Sequence, residues 1–211
     1  MIIADIAPFK GAMMCVELTG GCLRENMKIY IHRDIVGANG LSCGKEISEE
    51  EVDGLIYAND LRRARERALY LLEGRDYSYS ELFDKLEENY PEEICFEICG
   101  KMKELGLIND RRYAEKLCRQ YFEVKKWGGY RVKMEMRRKG IPDNLIAEVM
   151  EEFSENDDVL ERLEELVDRK YARYLVDRKG VNKVRGALLR LGYSYGQIKE
   201  VLELYDLDFD E

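Results

Sequence analysis

SELFDKLEENYPEEICFEICGKM, residues 80–102, decides the fold of this chain, because the chain repeats its pattern twice more. The other copies are YRVKMEMRRKGIPDNLIAEVMEE at residues 130–152 and NKVRGALLRLGYSYGQIKEVLEL at residues 182–204. Leu82 is equivalent to Val132, an offset of 50 residues, and the third copy follows after a further 52. A fixed period with helical spacing predicts a tandem array of small helical modules. Such an array offers an extended surface, which favours binding a macromolecule over processing a small molecule.

The overall composition is that of a folded protein with exposed helices. Of its 211 residues, 45% are hydrophobic and 36% are charged, and only three are proline. That balance supplies a core and leaves charged faces for solvent. The sequence has no run of about 18 apolar residues, and the N-terminus lacks the basic start and cleavage site of an export signal. We therefore predict a soluble, cytoplasmic protein and expect no membrane partner.

Nothing in the sequence indicates a catalytic or metal site. The six cysteines lack the paired spacings of a zinc site or a secreted disulfide framework, and the spacing of Cys95 and Cys99 on one helix face indicates buried thiols. His32 is the only histidine, in a predicted strand where we expect a structural role. The chain contains no GxxxxGKS/T phosphate loop, no GxGxxG and no HExxH. We predict that it is not an enzyme and that it uses no cofactor, metal or small-molecule substrate.

Charge is strongly segregated along the chain. The formal net charge of −9 argues against a protein that mainly coats nucleic acid, because phosphate binding needs concentrated positive charge. Residues 125–139 nevertheless carry seven bases against one acid, a balance of +6, whereas residues 151–165 carry eight acids against one base, a balance of −7. Residues 173–190 have a balance of +5. Segregation of this kind suits a partner whose own charges are patterned.

Local patterns divide the chain into four segments. Residues 1–59 carry β-type runs, MCVELTGG and MKIYIHRDIVG, followed by a short helix. Three-helix modules are predicted at residues 60–107, 108–154 and 155–211. The predicted fold is mainly α: a tandem array of three helix-turn-helix-like modules, preceded by a small β-containing segment.

Capping residues and apolar stripes set the predicted helices. Ser48 with Glu51 forms a capping box that opens the short N-terminal helix, and similar boxes recur at later helix starts. The buried stripe of the last helix in the first module is predicted to include Leu105. The stripe of the next helix is predicted to include Val124.

The basic residues of the second and third modules are the sharpest functional feature. Solubility is the simpler explanation for any one of them, but their recurrence at equivalent places in two modules favours a contact surface. The first module lacks this pattern, so a uniform nucleic-acid track is not expected. The predicted contact residues are Lys125, Lys126, Arg131, Lys133, Arg137, Arg138, Lys183, Arg185 and Arg190.

Aromatic residues flank several predicted helix starts. Trp127 could be an exposed anchor or a lid over a module junction, and we expect it to pack, because large aromatic side chains are mostly buried. Tyr77, Tyr79, Tyr193 and Tyr195 border helix starts, where they could stack on bases or staple the helix entry.

Four motifs resemble successive signatures of the RecX family, bacterial regulators of the recombinase RecA. They are LLEGRDYSYSEL from Leu71, KELGLINDRRYAEKLCRQ from Lys103, GYRVKMEMRRKGI from Gly129 and LLRLGYSYGQI from Leu188. The resemblance covers residues 60–205, and LGLINDRRYAEKL is its most specific part. The family fold is likewise a tandem of three-helix repeats.

The resemblance implies a non-enzymatic modulator of RecA. RecX proteins bind along the groove of the RecA filament on single-stranded DNA, hinder filament growth, and so reduce ATP hydrolysis, strand exchange and cleavage of the SOS repressor, which modulates recombination and DNA repair. A module array suits such a filament, because it can touch successive protomers. The acidic first module and the negative net charge depart from a DNA-binding pattern, so any direct binding to single-stranded or duplex DNA is expected to be weak. We expect a monomer.

Two alternatives stay open. Three-helix modules resemble helix-turn-helix domains, so the chain could be a DNA-binding regulator that acts without RecA. It could also be a scaffold for another protein.

Overall fold

The computed structural model describes residues 1–20, 27–154 and 158–205. The chain divides into two compact units. The first consists of Met1–Gly74 with Phe83–Met102, and the second of Arg75–Leu82 with Lys103–Glu211. A mainly α chain with a small N-terminal sheet is confirmed. Cys22 and residues 155–157, where the third predicted module begins, lie outside the described residues.

Three antiparallel strands form the sheet of the first unit, in the order β1-β2-β3. They are β1 (Ile2–Pro8), β2 (Met13–Thr19) and β3 (Met27–His32). A sheet this small needs something to pack on. Its buried residues form one core with the start of the following long helix: Ile3, Val16, Leu18, Ile29, Ile31, Val52 and Leu55.

The extended run predicted for MKIYIHRDIVG is wrong beyond His32. Arg33–Ala38 form a short helix, α1, instead. The Nδ1 atom of His32 accepts a hydrogen bond from the Asp34 backbone N–H at 3.2 Å, which satisfies a donor of the first helical turn. The histidine is thus a helix cap at the end of β3.

The second helix, α2 (Glu49–Gly74), is longer than predicted. Ser48 and Glu51 form the predicted capping box, with hydrogen bonds of 2.8 and 3.1 Å. The prediction of a short helix that ends near Asn59 is wrong, because the helix continues through that residue. Asn59 is buried, and its Oδ1 atom accepts a hydrogen bond from the His32 backbone N–H at 3.0 Å. The Asn59 side chain therefore links α2 to β3.

Helices α3 (Tyr79–Glu87) and α4 (Glu92–Glu104) follow from the predicted signals. The predicted burial of Leu105 is wrong, since this residue is 55% exposed. It follows the last residue of α4, and Gly106 then turns the chain with a φ of 70°.

Helix α5 (Asp110–Arg119) continues into a π-helical turn at Gln120–Val124. The predicted burial of Val124 is wrong: it is 76% exposed, whereas Phe122 is buried. A π turn contains an additional residue, so side chains after it are rotated from the positions of an uninterrupted α-helix. Phe122 consequently points inward and stacks on Phe153, with ring centroids 5.0 Å apart.

Five further helices complete the second unit in the described part of the chain. They are α6 (Gly129–Arg138), α7 (Asp143–Ser154), α8 (Val159–Lys170), α9 (Arg178–Arg190) and α10 (Tyr195–Leu202). Ser194 and Gln197 form the predicted capping box at the start of α10. Helices α8, α9 and α10 share one core, in which Leu163, Leu188 and Ile198 are fully buried.

In the second unit, two contacts between helix ends, which we call joints, lie at equivalent positions of the sequence repeat. The Ser78 hydroxyl donates a hydrogen bond to the Lys139 carbonyl, and the Gly128 N–H donates to the Leu191 carbonyl at 2.8 Å. The donors are 50 residues apart and the acceptors 52, the same offsets as in the sequence repeat. A glycine with positive φ follows each acceptor. The sequence repeat therefore corresponds to a repeated contact between helix ends.

Candidate protein-interaction surface

On the outer side of α6, some of the predicted contact residues form ion pairs and others do not. Arg137 makes two hydrogen bonds to the Asp143 carboxylate, 2.6 Å from Nε and 3.1 Å from Nη2, and they hold the pKa of Asp143 below its usual value. Arg138 lies 3.2 Å from Glu135. Lys133 makes no direct ion pair in the described part of the chain, although its positive charge also helps to lower the pKa of Asp143. Local ion pairs thus neutralise the end of α6 and leave Lys133 without a direct carboxylate contact.

The opposite side of α6 is buried. Val132 and Met136 are inaccessible to solvent and belong to the core of the second predicted module. Their burial fixes the rotation of the helix, so its basic residues face outward.

Two further cations lie over the ring of Trp127. Its ring packs on Tyr121, with centroids 4.8 Å apart, so the expectation of a packed side chain is confirmed. The Lys125 ammonium lies 4.5 Å and the Arg131 guanidinium 4.0 Å from the Trp127 ring centroid. Cations at these distances are attracted to the ring face. The side chain of Arg131 also donates a hydrogen bond to the Arg190 carbonyl at 3.3 Å, which links α6 to the end of α9.

Lys126 has a structural role that its charge did not reveal. Its backbone has a φ of 52°, in the left-handed region, and its carbonyl accepts a hydrogen bond from the Tyr193 hydroxyl at 3.0 Å. The Lys126 ammonium lies 3.5 Å from Glu165. Burial raises the pKa of Tyr193, so the phenol stays protonated and remains a donor.

The three predicted contact residues on α9 form no ion pairs within the described ranges. Lys183 and Arg190 are exposed and Arg185 is half-buried, with its guanidinium 5.8 Å from the ring centroid of Tyr195. None of the three has a carboxylate partner among the residues that the structure describes.

All nine predicted contact residues belong to the second unit, but they do not form one uniform surface. The Lys125 and Arg131 side chains meet at the ring of Trp127, and Arg131 also contacts the Arg190 backbone carbonyl at the end of α9. Those without a carboxylate partner in the described ranges are Lys125, Arg131, Lys133, Lys183, Arg185 and Arg190. Ion pairs engage the other three: Lys126, Arg137 and Arg138.

Sequence reasoning missed a cation–aromatic pair that repeats. The Arg75 guanidinium lies 3.6 Å from the ring centroid of Tyr77, and both residues precede their counterparts Lys125 and Trp127 by 50 positions. The absence of a basic middle helix in the first module hid this equivalence. The offset of 50 was the signal that could have found it.

Sequence reasoning also missed a groove beside the predicted cations in the second unit. It has a volume of about 490 Å³ and is open to solvent. Its lining comes from the starts of α6 and α10 and the end of α9: Gly129, Tyr130, Leu189, Gly192, Tyr193, Ser194, Tyr195 and Gln197.

None of the helices in the described ranges is both long and apolar enough to cross a membrane.

Comparisons with known proteins identify the family. Three family models match in order: the first three-helix domain of RecX at residues 64–102, the second at 109–150 and the third at 156–202. The chain is 35% identical over 140 residues to the regulatory protein RecX of Trichlorobacter lovleyi, which covers 64% of this chain and 91% of that protein. It is 30% identical over 185 residues to that of Clostridioides difficile, covering 87% of this chain and 86% of the relative.

Solved structures agree with these matches. A crystal structure of RecX from Lactobacillus salivarius aligns with a TM-score of 0.63 at 29% identity, over 71% of this chain and 99% of that one. A second crystal structure of regulatory protein RecX aligns with a TM-score of 0.67 over 96% of this chain and 98% of that one; at 22% identity it supports the fold alone. The three matched domains and the two relatives show that this chain belongs to the RecX family of regulatory proteins.

Proposed function

We propose that this chain is a non-enzymatic regulator that binds the RecA filament on single-stranded DNA and inhibits RecA. The inhibited activities are filament growth, ATP hydrolysis, strand exchange and the co-protease function in the SOS response. The chain would thereby modulate recombination and DNA repair in the cytoplasm. It would act as a monomer.

One structural observation supports this proposal in addition to family membership. The second unit repeats its helix-end joints at the spacing of the sequence repeat, and six cations of the same unit lack a direct carboxylate partner in the described ranges. Unneutralised charge set on a periodic scaffold suits a partner whose acidic features also repeat. A filament of identical protomers is such a partner. The proposed contact residues remain the nine predicted from the sequence, with the six unpaired ones as the main contributors.

The test is a titration of the chain into RecA, ATP and single-stranded DNA while phosphate release is followed. The proposal predicts a decrease in the rate of ATP hydrolysis that grows with the amount of chain added. An unchanged rate at saturating chain would contradict it.

A gel-shift experiment separates this function from that of a helix-turn-helix regulator. Duplex and single-stranded DNA are each incubated with the chain, with and without RecA. We expect weak binding to either DNA alone and a stable complex only when RecA is present. Tight binding to duplex DNA without RecA would favour the DNA-binding alternative.

A further inference from the structure

We propose that the groove between the start of α6, the end of α9 and the start of α10 binds a segment of a protein partner that carries a large apolar side chain flanked by acidic residues. We call this groove the tyrosine groove, after Tyr130 and Tyr195 on its walls. If the proposed function is correct, the partner is a RecA protomer.

The walls of the tyrosine groove are exposed apolar side chains. Tyr130 is 73% exposed, Tyr195 60% and Leu189 45%. Large apolar residues that cluster on a surface mark interaction sites more often than residues scattered singly. Tyrosine is also enriched among the residues that contribute most to protein interfaces.

The floor of the groove is fixed before any partner binds. Tyr193 is 2% exposed and its hydroxyl is bound to the Lys126 carbonyl. Ser194 and Gln197 satisfy each other's backbone through the capping box, at 3.2 and 2.9 Å. A preformed site of this kind loses little conformational entropy on binding.

Cations lie at the rim of the groove. Lys133 is three residues after Tyr130, on the same side of α6. Arg185 approaches the ring of Tyr195. Neither has a carboxylate partner within the described ranges, so acidic residues on both sides of the apolar anchor would find complementary charge.

The arrangement favours a protein segment over a nucleic acid. None of the eight lining residues is charged, whereas a nucleic-acid strand presents a phosphate at every step and needs cations along its whole path. An apolar centre with a charged rim is instead the usual anatomy of a protein interface.

The first test does not involve RecA. An isotope-labelled full-length chain is titrated with a short acidic peptide that has a central leucine and phenylalanine, with the same peptide made neutral by amides, and with oligothymidylate. We expect the acidic peptide to shift the backbone amide signals of Tyr130, Gly192 and Tyr195, and the neutral peptide to bind more weakly. The absence of these shifts, or stronger shifts with oligothymidylate, would overturn the proposal.

Two double variants sharpen this test. Tyr130→Ala with Tyr195→Ala should weaken peptide binding by about tenfold or more, because it removes both aromatic walls. Tyr70→Ala with Val176→Ala is the matched control, since these side chains are 68% and 77% exposed but lie outside the groove. Equal peptide affinities for the two double variants would overturn the proposal. So would a chain that dimerises in sedimentation experiments and becomes monomeric only in the groove variant.

A second test connects the groove to RecA. The wild-type chain and both double variants are sedimented with preformed RecA filaments on single-stranded DNA. Loss of cosedimentation in the groove variant alone supports the proposal, and cosedimentation equal to that of wild type contradicts RecA as the occupant. If the wild-type chain itself fails to cosediment, the proposed function fails, while the peptide titration still decides whether the groove binds acidic segments.

Discussion

The Gly128 backbone N–H donates a hydrogen bond to the Leu191 carbonyl at 2.8 Å, so the start of α6 lies directly against the end of α9. A Cβ atom on Gly128 would overlap the backbone of Gly192. The joint therefore requires glycine at this position for space.

We predict that Gly128→Ala lowers the free energy of unfolding by about 2–4 kcal/mol, since the backbones must separate to accommodate the methyl group. Urea denaturation measures the change. Gly54→Ala is the matched control: it lies within α2 with open space around its Cα, and alanine there should stabilise the helix by roughly 0.5–1 kcal/mol. Equal effects of the two substitutions would contradict the close approach at the joint.

Glu81 makes the joint between Ser78 and Lys139 sensitive to pH. Its carboxylate accepts hydrogen bonds from Lys139 at 2.8 Å, Arg75 at 3.3 Å and the Tyr113 hydroxyl at 3.1 Å. Burial alone would raise the pKa of Glu81, but the hydrogen bonds from Lys139 and Arg75 outweigh it and hold the pKa below the usual 4.5. A lowered pKa in the folded state stabilises the fold above pH 4.5, and this stabilisation is lost as the pH falls through the folded-state pKa.

We predict that Glu81→Gln lowers the free energy of unfolding by about 1–3 kcal/mol at neutral pH, because charge-assisted hydrogen bonds are lost. The difference from wild type should shrink as the pH falls below 4.5. Thermal unfolding followed across this pH range measures both effects. Glu73→Gln, at an exposed carboxylate on α2, is the control; an identical pH profile for the two variants would contradict the role of Glu81.

The π-helical turn gives a test of which residues face the core. Phe122 stacks on Phe153, and the Arg162 guanidinium lies 4.7 Å from its ring centroid. We predict that Phe122→Ala lowers the free energy of unfolding by about 3–5 kcal/mol, whereas Val124→Ser changes it by less than about 0.5 kcal/mol. A reversed order in urea denaturation would mean that the helix continues without the π turn.

Buried thiols should resist modification. Burial raises the pKa of Cys99 and of Cys118 to about 12, so little reactive thiolate forms near neutral pH. We expect iodoacetamide at pH 8 to label the exposed Cys43 while leaving these two unmodified until the chain is unfolded, as peptide mass mapping would reveal. Labelling of Cys118 as fast as that of Cys43 in the folded chain would contradict its burial.

Local signals explain which parts of the fold could be predicted. The capping boxes at Ser48 and Ser194 locate helix starts to within a few residues. The three copies of one sequence pattern predict the repeated modules. Errors arose where distant residues decide the outcome. The predicted N-terminal segment ended at Asn59, but this residue lies inside α2 and binds the His32 N–H, 27 residues away. No local pattern marks the π turn that exposes Val124.

The sequence predicts which residues of the candidate surface are basic, but it does not predict how those residues are arranged. Basic residues could be counted from the sequence, but the ion pairs that engage Arg137 with Asp143 could not. The tyrosine groove combines Tyr130 with Leu189 and Tyr195, which are about sixty residues further along the chain. Only the contact between helix ends brings these side chains together.

The proposed function requires the cations of the second unit to engage the RecA filament. A variant with glutamate at Lys125, Lys133, Lys183 and Arg190, which make no direct ion pair in the described ranges, tests this requirement through its inhibition of RecA-dependent ATP hydrolysis. Its matched control carries the same four-charge reversal at exposed positions of the first unit: Arg33, Arg63, Arg65 and Arg67.

We expect half inhibition by the first variant to need at least about tenfold more protein at moderate salt, because charge complementarity sets both association and orientation. The control should inhibit like the wild-type chain. Inhibition by the first variant at wild-type concentrations, with the fold intact by circular dichroism, would contradict the claim.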